Sequence, residues 1–232
     1  MSEERMLEHA LPELAEARGD LQKLTMRESV VRFYARHEAR LNNAVQTSSQ
    51  ALACEAGCSY CCRQFEVVAH PFEVFEVQAY VTKHFTPEQL RSVMERATRN
   101  VNERKAATEA DRLTLRPTCP FLVNHSCSVY AARPSVCRNY HSTDKDNCQK
   151  AFEDPFSTWP NTYADEVFHT AMGSAAGFKK AVEELGLDTR AYHLSAAFLE
   201  AMRSPDSAKR FKSGKRAFLK ATTSSFEEGS GS

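Results

Sequence analysis

Eight cysteines fall in two stretches of this chain and nowhere else. The first reads Cys54-Glu-Ala-Gly-Cys58-Ser-Tyr-Cys61-Cys62, and the second carries Cys119, Cys127, Cys137 and Cys148. Thiolate is a soft ligand that selects zinc, Cu(I) or an iron–sulfur cluster over magnesium or calcium. Gaps of two and three residues let successive side chains reach one centre, as zinc and iron–sulfur sites both require. All eight, Cys54, Cys58, Cys61, Cys62, Cys119, Cys127, Cys137 and Cys148, are therefore candidate metal ligands. Cys54, Cys58 and Cys61 form C-x3-C-x2-C, which could hold three corners of a [4Fe-4S] cluster. Two adjacent cysteines rarely share one mononuclear centre, so Cys62 points to a second metal, a larger cluster or a buried thiol that is no ligand. Four plus four thiols fit a pair of tetrahedral sites, or one iron–sulfur cluster with the other thiols spare or on zinc.

Either centre carries negative charge and calls for donors or cations nearby. Arg133 and Arg138, beside Cys137, can supply them, unless each is simply a surface salt bridge. His141 is the one histidine within the cluster worth weighing as a ligand, although eight cysteines already suffice. The C-x3-C-x2-C spacing with Tyr60 before its last cysteine also occurs in radical SAM enzymes. Those need a run of alternating strands and helices and a Gly-rich loop. The chain after Cys62 reads as mainly helical and there are eight glycines in all, so that reading is set aside.

The chain of 232 residues has room for a real core. Lys plus Arg and Asp plus Glu both number 30, which gives no bulk attraction to nucleic acid or anionic membrane. Hydrophobic residues make up 42%, and no apolar run approaches the roughly 20 residues of a membrane helix. Met-Ser-Glu-Glu-Arg lacks the pattern of a signal peptide, so a cytoplasmic setting is expected. There glutathione disfavours structural disulfides, which turns clustered cysteines towards metal.

The elements that must position the thiols read as helices. Leu7, Leu11 and Leu14 mark one over residues 1–24. Val30, Phe33, Tyr34, Leu41, Ala44 and Val45 mark a stronger one from about Arg27 to Leu52, with His37 on its apolar stripe as a packed residue. Gly57 permits the tight turn that closely spaced ligands need. A short extended piece through Phe65, Val67 and Ala69 leads to a helix opened by Pro71, with Phe72, Phe75, Ala79 and Tyr80 on one face. Thr86-Pro-Glu-Gln89 is a capping box that opens a further helix. Residues 112–160, punctuated by five prolines, read as irregular. Helices resume from Asn161 to about Leu185, closed by Gly186, then from an Asp188 cap to Met202, then after Ser204-Pro205. The last carries Lys209, Arg210, Lys212, Lys215, Arg216 and Lys220, read as a solvated face opposite Phe211, Phe218 and Leu219.

The fold class expected is mainly α, a helical scaffold around an irregular cysteine-rich loop region. The expected organisation is N-terminal helices 1–49, a cysteine module 50–150, C-terminal helices 151–221 and a flexible tail 222–232. The ordered anchors Cys54-x3-Cys58-x2-Cys61-Cys62, Cys119-Pro-Phe-Leu122, Cys127-x-Val-Tyr130, Arg133-Pro134 and Cys137-Arg138-x-Tyr140 resemble the CxxCxxCC cysteine-cluster family of YkgJ-like proteins, described as zinc- or iron-chelating. A similar module in the flagellin lysine N-methylase implies that an iron–sulfur cluster suits this setting. The first gap here is three residues where the family name implies two, and His141 stands where many members have proline. The function expected is a cytosolic metalloprotein binding an iron–sulfur cluster ([4Fe-4S]), zinc, or both. Its partner is the metal ion or cluster, with neither nucleic acid nor membrane involved. The alternatives are a metal-dependent enzyme, acting in redox or modification chemistry, and a zinc-stapled interaction module.

Overall fold

The structure is a computed structural model, and it describes residues 3–112, 114–154, 156 and 162–222. It is mainly α. The tail from residue 223, Pro155, Pro160 and Asn161 lie outside the described residues.

Two long helices open the chain, α1 (Glu3–Lys23) and α2 (Met26–Thr47). Thr25 caps α2 through a reciprocal box with Glu28, and the helix ends at Ser48, short of the expected Leu52. Then come α3 (Tyr60–Gln64), β1 (Val68–Ala69), α4 (Pro71–His84) and α5 (Pro87–Ala106). The Thr86–Gln89 box is formed as read from the sequence. A single turn, α6 (Glu109–Arg112), precedes a small hairpin of β2 (Leu122–Val123) and β3 (Ser126–Cys127). A 3-10 turn over Tyr130–Ala132 leads to α7 (Ser135–Asn139) and α8 (Lys145–Glu153). The last elements are α9 (Asp165–Glu184), β4 (Tyr192–His193), α10 (Leu194–Arg203) and α11 (Asp206–Lys212). β1 and β4 pair antiparallel, which ties the piece after the first cysteines to the C-terminal helices.

The core is built around an aromatic stack. Phe33 of α2 lies flat on Phe178 of α9 at 4.4 Å, and Phe72 of α4 meets Phe178 edge-on at 5.3 Å. Val30, Val74, Val77, Val81, Ala97, Ala197 and Phe198 complete it, all fully buried. Among the described residues, no helix is long and apolar enough to cross a membrane.

Several local readings change in the fold. Leu7 and Leu11 are exposed, and α1 instead buries Glu13, Ala17 and Asp20. Arg36 and Arg40 of α2 meet the Glu13 carboxylate, and Arg36 also meets Asp20 at 2.6 Å. The helix is thus docked by buried charge and by close backbone approach to α9, where Gly173 and Gly177 face it. Asp188 caps no helix. Its carboxylate is buried and accepts from Tyr192 Oη at 2.6 Å and from the Ala217 backbone at 2.7 Å, and α10 starts only at Leu194. α11 stops at Lys212, so Lys215, Arg216 and Lys220 lie beyond it. Arg210 is drawn inward to Glu200 at 2.9 Å, and Leu219 is exposed. Gly186, at φ 70°, does close α9 in the left-handed region.

His37 is fully buried. Its Nε2 lies 2.8 Å from Asn139 Oδ1, an obligate acceptor, so Nε2 carries the proton and Nδ1 accepts from Ser174 Oγ at 3.0 Å. Burial lowers its pKa to about 4 from an ordinary 6.5, against the opposing pull of the Asn139 bond. Between those values the unfolded chain binds a proton that the folded chain refuses. The stability held by neutral His37 is therefore complete above pH 6.5 and is lost as pH falls towards about 4. The span corresponds to on the order of 3 kcal/mol. Chemical denaturation at pH 7 and pH 5 should show a smaller acid-induced loss in His37→Gln than in the unchanged protein. An equal loss in both would contradict this account.

Candidate metal centre

The first cysteine stretch follows α2. Ala53 N donates to Ser142 O at 2.8 Å, which holds the chain against the segment just before α8. Gly57 takes φ 86°, where a side chain would be strained, and turns the chain between Cys54 and Cys58. Cys61 and Cys62 then sit in the first turn of α3, their sulfurs 4.0 Å apart. The Cys62 carbonyl accepts from Cys119 N at 2.7 Å, so the second stretch begins against the end of the first.

Cys119 leads into the β2–β3 hairpin, and Cys127 sits on β3. Asn124 and His125 form its two-residue turn with φ 48° and 60°. His125 Nδ1 lies 3.0 Å from Ser59 Oγ, a second tie between the stretches. Cys137 rides on α7, whose Ser135 N donates to the buried Glu73 carboxylate at 2.6 Å. The same carboxylate accepts from His70 N at the start of α4, so Glu73 aligns α7 with the core. Cys148 lies on α8, a helix that the reading of residues 112–160 as irregular did not foresee. Asp144 caps it by accepting from Asn147 N at 3.0 Å. α8 packs on α3, with Tyr60 and Phe152 rings 5.8 Å apart and the Arg63 guanidinium 4.6 Å over Phe152. Lys145 pairs with Glu55 across the same junction.

The eight cysteines are all free of disulfides. Among the described residues, no three His, Cys, Asp or Glu side chains stand close enough together to hold an ion. Protonated thiols do not repel one another and have no cause to converge until a cation replaces their protons. Their environment nevertheless sorts them. Burial raises the Cys54 thiol, and Cys58, Cys148 and Cys61 add to the rise. Burial pushes Cys119 up to about 12, with Cys127 and Cys61 adding to it. Burial likewise holds Cys137 well above its ordinary value, with Cys119, Cys127 and Cys61 contributing. Cys61 is raised chiefly by its bond to Cys62 and then by burial. Cys119 and Cys137 thus both lie within electrostatic reach of Cys127 and Cys61, and Cys54 within reach of Cys58, Cys148 and Cys61.

Arginines surround this region. The Arg138 side chain is 6% exposed, lies 4.2 Å over the Tyr34 ring and pairs with Glu38 at 2.8 Å. Arg133 also reaches Glu38, at 3.5 Å. Neither is a plain surface pair, and both lower the Cys127 thiol against the rise from burial. Arg63, Arg116 and Arg133 each bury an Nε–H that has no acceptor among the described residues. Arg63 follows Cys62 directly, and Arg116 bonds to the Gln64 and Ala151 carbonyls at 3.3 Å, between α3 and α8. Buried donors without acceptors are costly, and three of them on the elements that carry the cysteines suit an anionic group such as a metal–thiolate centre. The donor set therefore fits a soft metal in kind. The sequence pointed to Arg133 and missed Arg63 and Arg116; the position of Arg63 next to Cys62 was the available signal.

His141 is not poised as a ligand. Its Nδ1 donates to Asn139 O at 2.8 Å and its Nε2 accepts from Ala164 N at 3.1 Å, so both nitrogens strap the backbone.

Residues 53–161 match the model of the CxxCxxCC family, described as a "Putative zinc- or iron-chelating domain". That match supports metal binding in general. Neither the curated proteins nor the solved structures include a significant match. The matched residues take in both cysteine stretches and the α3–α8 junction that joins them.

Proposed function

We propose that the CxxCxxCC domain binds soft metal through two interleaved thiol sets, each drawn from both stretches of sequence. Cys61, Cys119, Cys127 and Cys137 form the inner set. Cys54, Cys58 and Cys148 form the outer one, with Cys62 the thiol left to complete it. The observation that carries this reading is the set of backbone ties, Cys119 N to Cys62 O and Ala53 N to Ser142 O. They seat the first stretch against Cys119 at one end and against the segment leading into the Cys148 helix at the other.

Four thiolates close a coordination sphere, as structural sites do, and the three buried arginine donors would answer the net negative charge. Bound zinc would supply cross-links alone, whereas an iron–sulfur centre would add one-electron chemistry. The organisation that goes with this role is a cysteine module, residues 50–150, clasped between N-terminal helices 1–49 and C-terminal helices 151–221. The packing of α1 and α2 on α9 supports the clasp. A reducing, cytoplasmic compartment would keep the thiols available.

Metal analysis and an absorption spectrum of protein purified without oxygen test the reading. Brown protein with iron and sulfide assigns the cluster; colourless protein with stoichiometric zinc assigns zinc. Protein that holds neither, and takes up neither on reconstitution, would overturn it.

A further inference from the structure

A groove of about 460 Å³ runs between the C-terminal end of α4, the first half of α5 and the β2–β3 hairpin. That volume falls within the roughly 300–1,000 Å³ of small-molecule sites. None of the eight cysteines lines it. Tyr80, Phe85, Val93 and Val123 supply its apolar wall. Val93 is buried, whereas Val123 is 42% exposed and leaves an apolar rim on the hairpin. The Tyr80 and His84 rings lie 4.5 Å apart with a 35° tilt, so the α4 side is an uneven surface and not a flat slot. A flexible alkyl chain follows such a wall better than a flat ring does.

The charged groups stand apart along α5. Arg96 Nε donates to Pro120 O at 2.7 Å, and its Nη1 donates to Ser92 Oγ at 2.6 Å. Those two bonds fix the guanidinium without answering its charge. A guanidinium has five N–H donors, so Nη2 and one hydrogen of Nη1 are left over. Arg27, Arg36, Arg40 and Arg138 all pair with carboxylates, but among the described residues Arg96 pairs with none. Gln89 Oε1 is taken by Thr86 N at 2.9 Å, which leaves its amide nitrogen as a further donor at the groove. Glu88 also lines the groove, on the first turn of α5. At 1.5 Å per residue it stands about 12 Å along the helix from Arg96.

We infer that this groove binds an apolar monocarboxylic acid of medium chain length, its carboxylate on Arg96 and its alkyl chain along Val93, Phe85 and Tyr80 towards Glu88. The planar guanidinium matches a carboxylate in shape and supplies charge-assisted bonds. The chain removes from water an apolar wall that the fold leaves open. Charge at the two ends sets the selectivity. A second carboxylate at the far end of the chain would meet Glu88, and an amine in place of the acid would meet Arg96. The inference goes beyond metal binding and uses none of the thiols.

Ligand-observed NMR and calorimetry on the full chain as purified test it, with butanoate, hexanoate and octanoate as probes and suberate and octylamine as controls. Affinity should rise about two- to fourfold per added CH₂. Octanoate should bind at least tenfold more tightly than suberate or octylamine. Arg96→Gln should weaken octanoate at least tenfold. Because that change also removes the strap to Pro120, Val123→Asp serves as a second variant. It places a negative charge on the exposed rim and should weaken octanoate at least fivefold with the far-UV spectrum unchanged. Glu88→Gln should narrow the gap between suberate and octanoate. Failure of octanoate to bind at millimolar concentration, equal binding of octylamine, or undiminished binding to Arg96→Gln or to Val123→Asp would each overturn the inference.

Discussion

Stripping the metal is expected to release two segments together, residues 53–64 and 117–153, while α9 and α10 keep their protection. Both segments are short elements joined by irregular chain, and α8 buries none of its residues fully. Ordering such chain costs about 1–2 kcal/mol per residue for the backbone alone. The apolar contacts on hand are Tyr60 and Arg63 on Phe152, Phe65 on Tyr140, and the hairpin's anchor in the core, where Phe121 meets Phe198 edge-on and Val129 is buried; they are few for some tens of residues. A structural metal contributes on the order of 10 kcal/mol, which tips the balance towards order. α9 and α10 depend instead on the Phe33–Phe178–Phe72 stack and on Phe198, and need no metal. Hydrogen exchange before and after chelation separates the two regions. Equal protection of residues 53–64 and 117–153 in both states would make the metal a passenger.

Replacing Gly177 with valine should cost about 3 kcal/mol or more, and even alanine should destabilise. α1 lies so close to α9 that a Cβ at Gly177 would enter the Ala10 carbonyl and press on Glu13 Cβ at 3.0 Å. Gly173 meets the Met6 carbonyl in the same way. Helix propensity pulls in the opposite direction, since alanine gains about 1 kcal/mol over glycine in a helix interior. The sign of the result thus depends on the contact. Gly19, within α1, has nothing within 4 Å of the place a methyl group would take, and it serves as the control. Gly19→Ala should stabilise by up to about 1 kcal/mol while Gly177→Ala destabilises by about 1–3 kcal/mol. Urea midpoints decide it, and a stabilising Gly177→Ala would show that α1 docks less closely than the structure has it.

Features fixed by nearby residues were legible in the sequence. The Thr86–Gln89 box, the Gly57 turn, the Gly186 cap and the apolar stripe of α2 all rest on contacts within a few positions. Asp188 was misread because its partners, Tyr192 and Ala217, come from tertiary packing that a local cap rule does not see. The leucine spacing of α1 misled for a related reason. That helix is held by Glu13 and Asp20 meeting arginines of α2 and by glycines on α9, with Leu14, Ala17 and Leu21 on the core, so Leu7 and Leu11 are left outside its docking face. α8 was hidden by the prolines around it, although Asp144 followed by nine residues free of proline and glycine was a usable signal. The cysteines announced soft-metal chemistry through their type and spacing alone. Which thiol faces which was beyond the sequence, because it depends on how α3 sits between the hairpin and α8.

Metal content per chain in Cys119→Ser, Cys148→Ser and the double variant tests the interleaved sets most directly. Cys119→Ser should lose the inner metal and keep the outer, Cys148→Ser should do the reverse, and the double variant should retain none. If either single substitution releases all bound metal, or if neither releases any, the thiols do not divide between two centres as proposed.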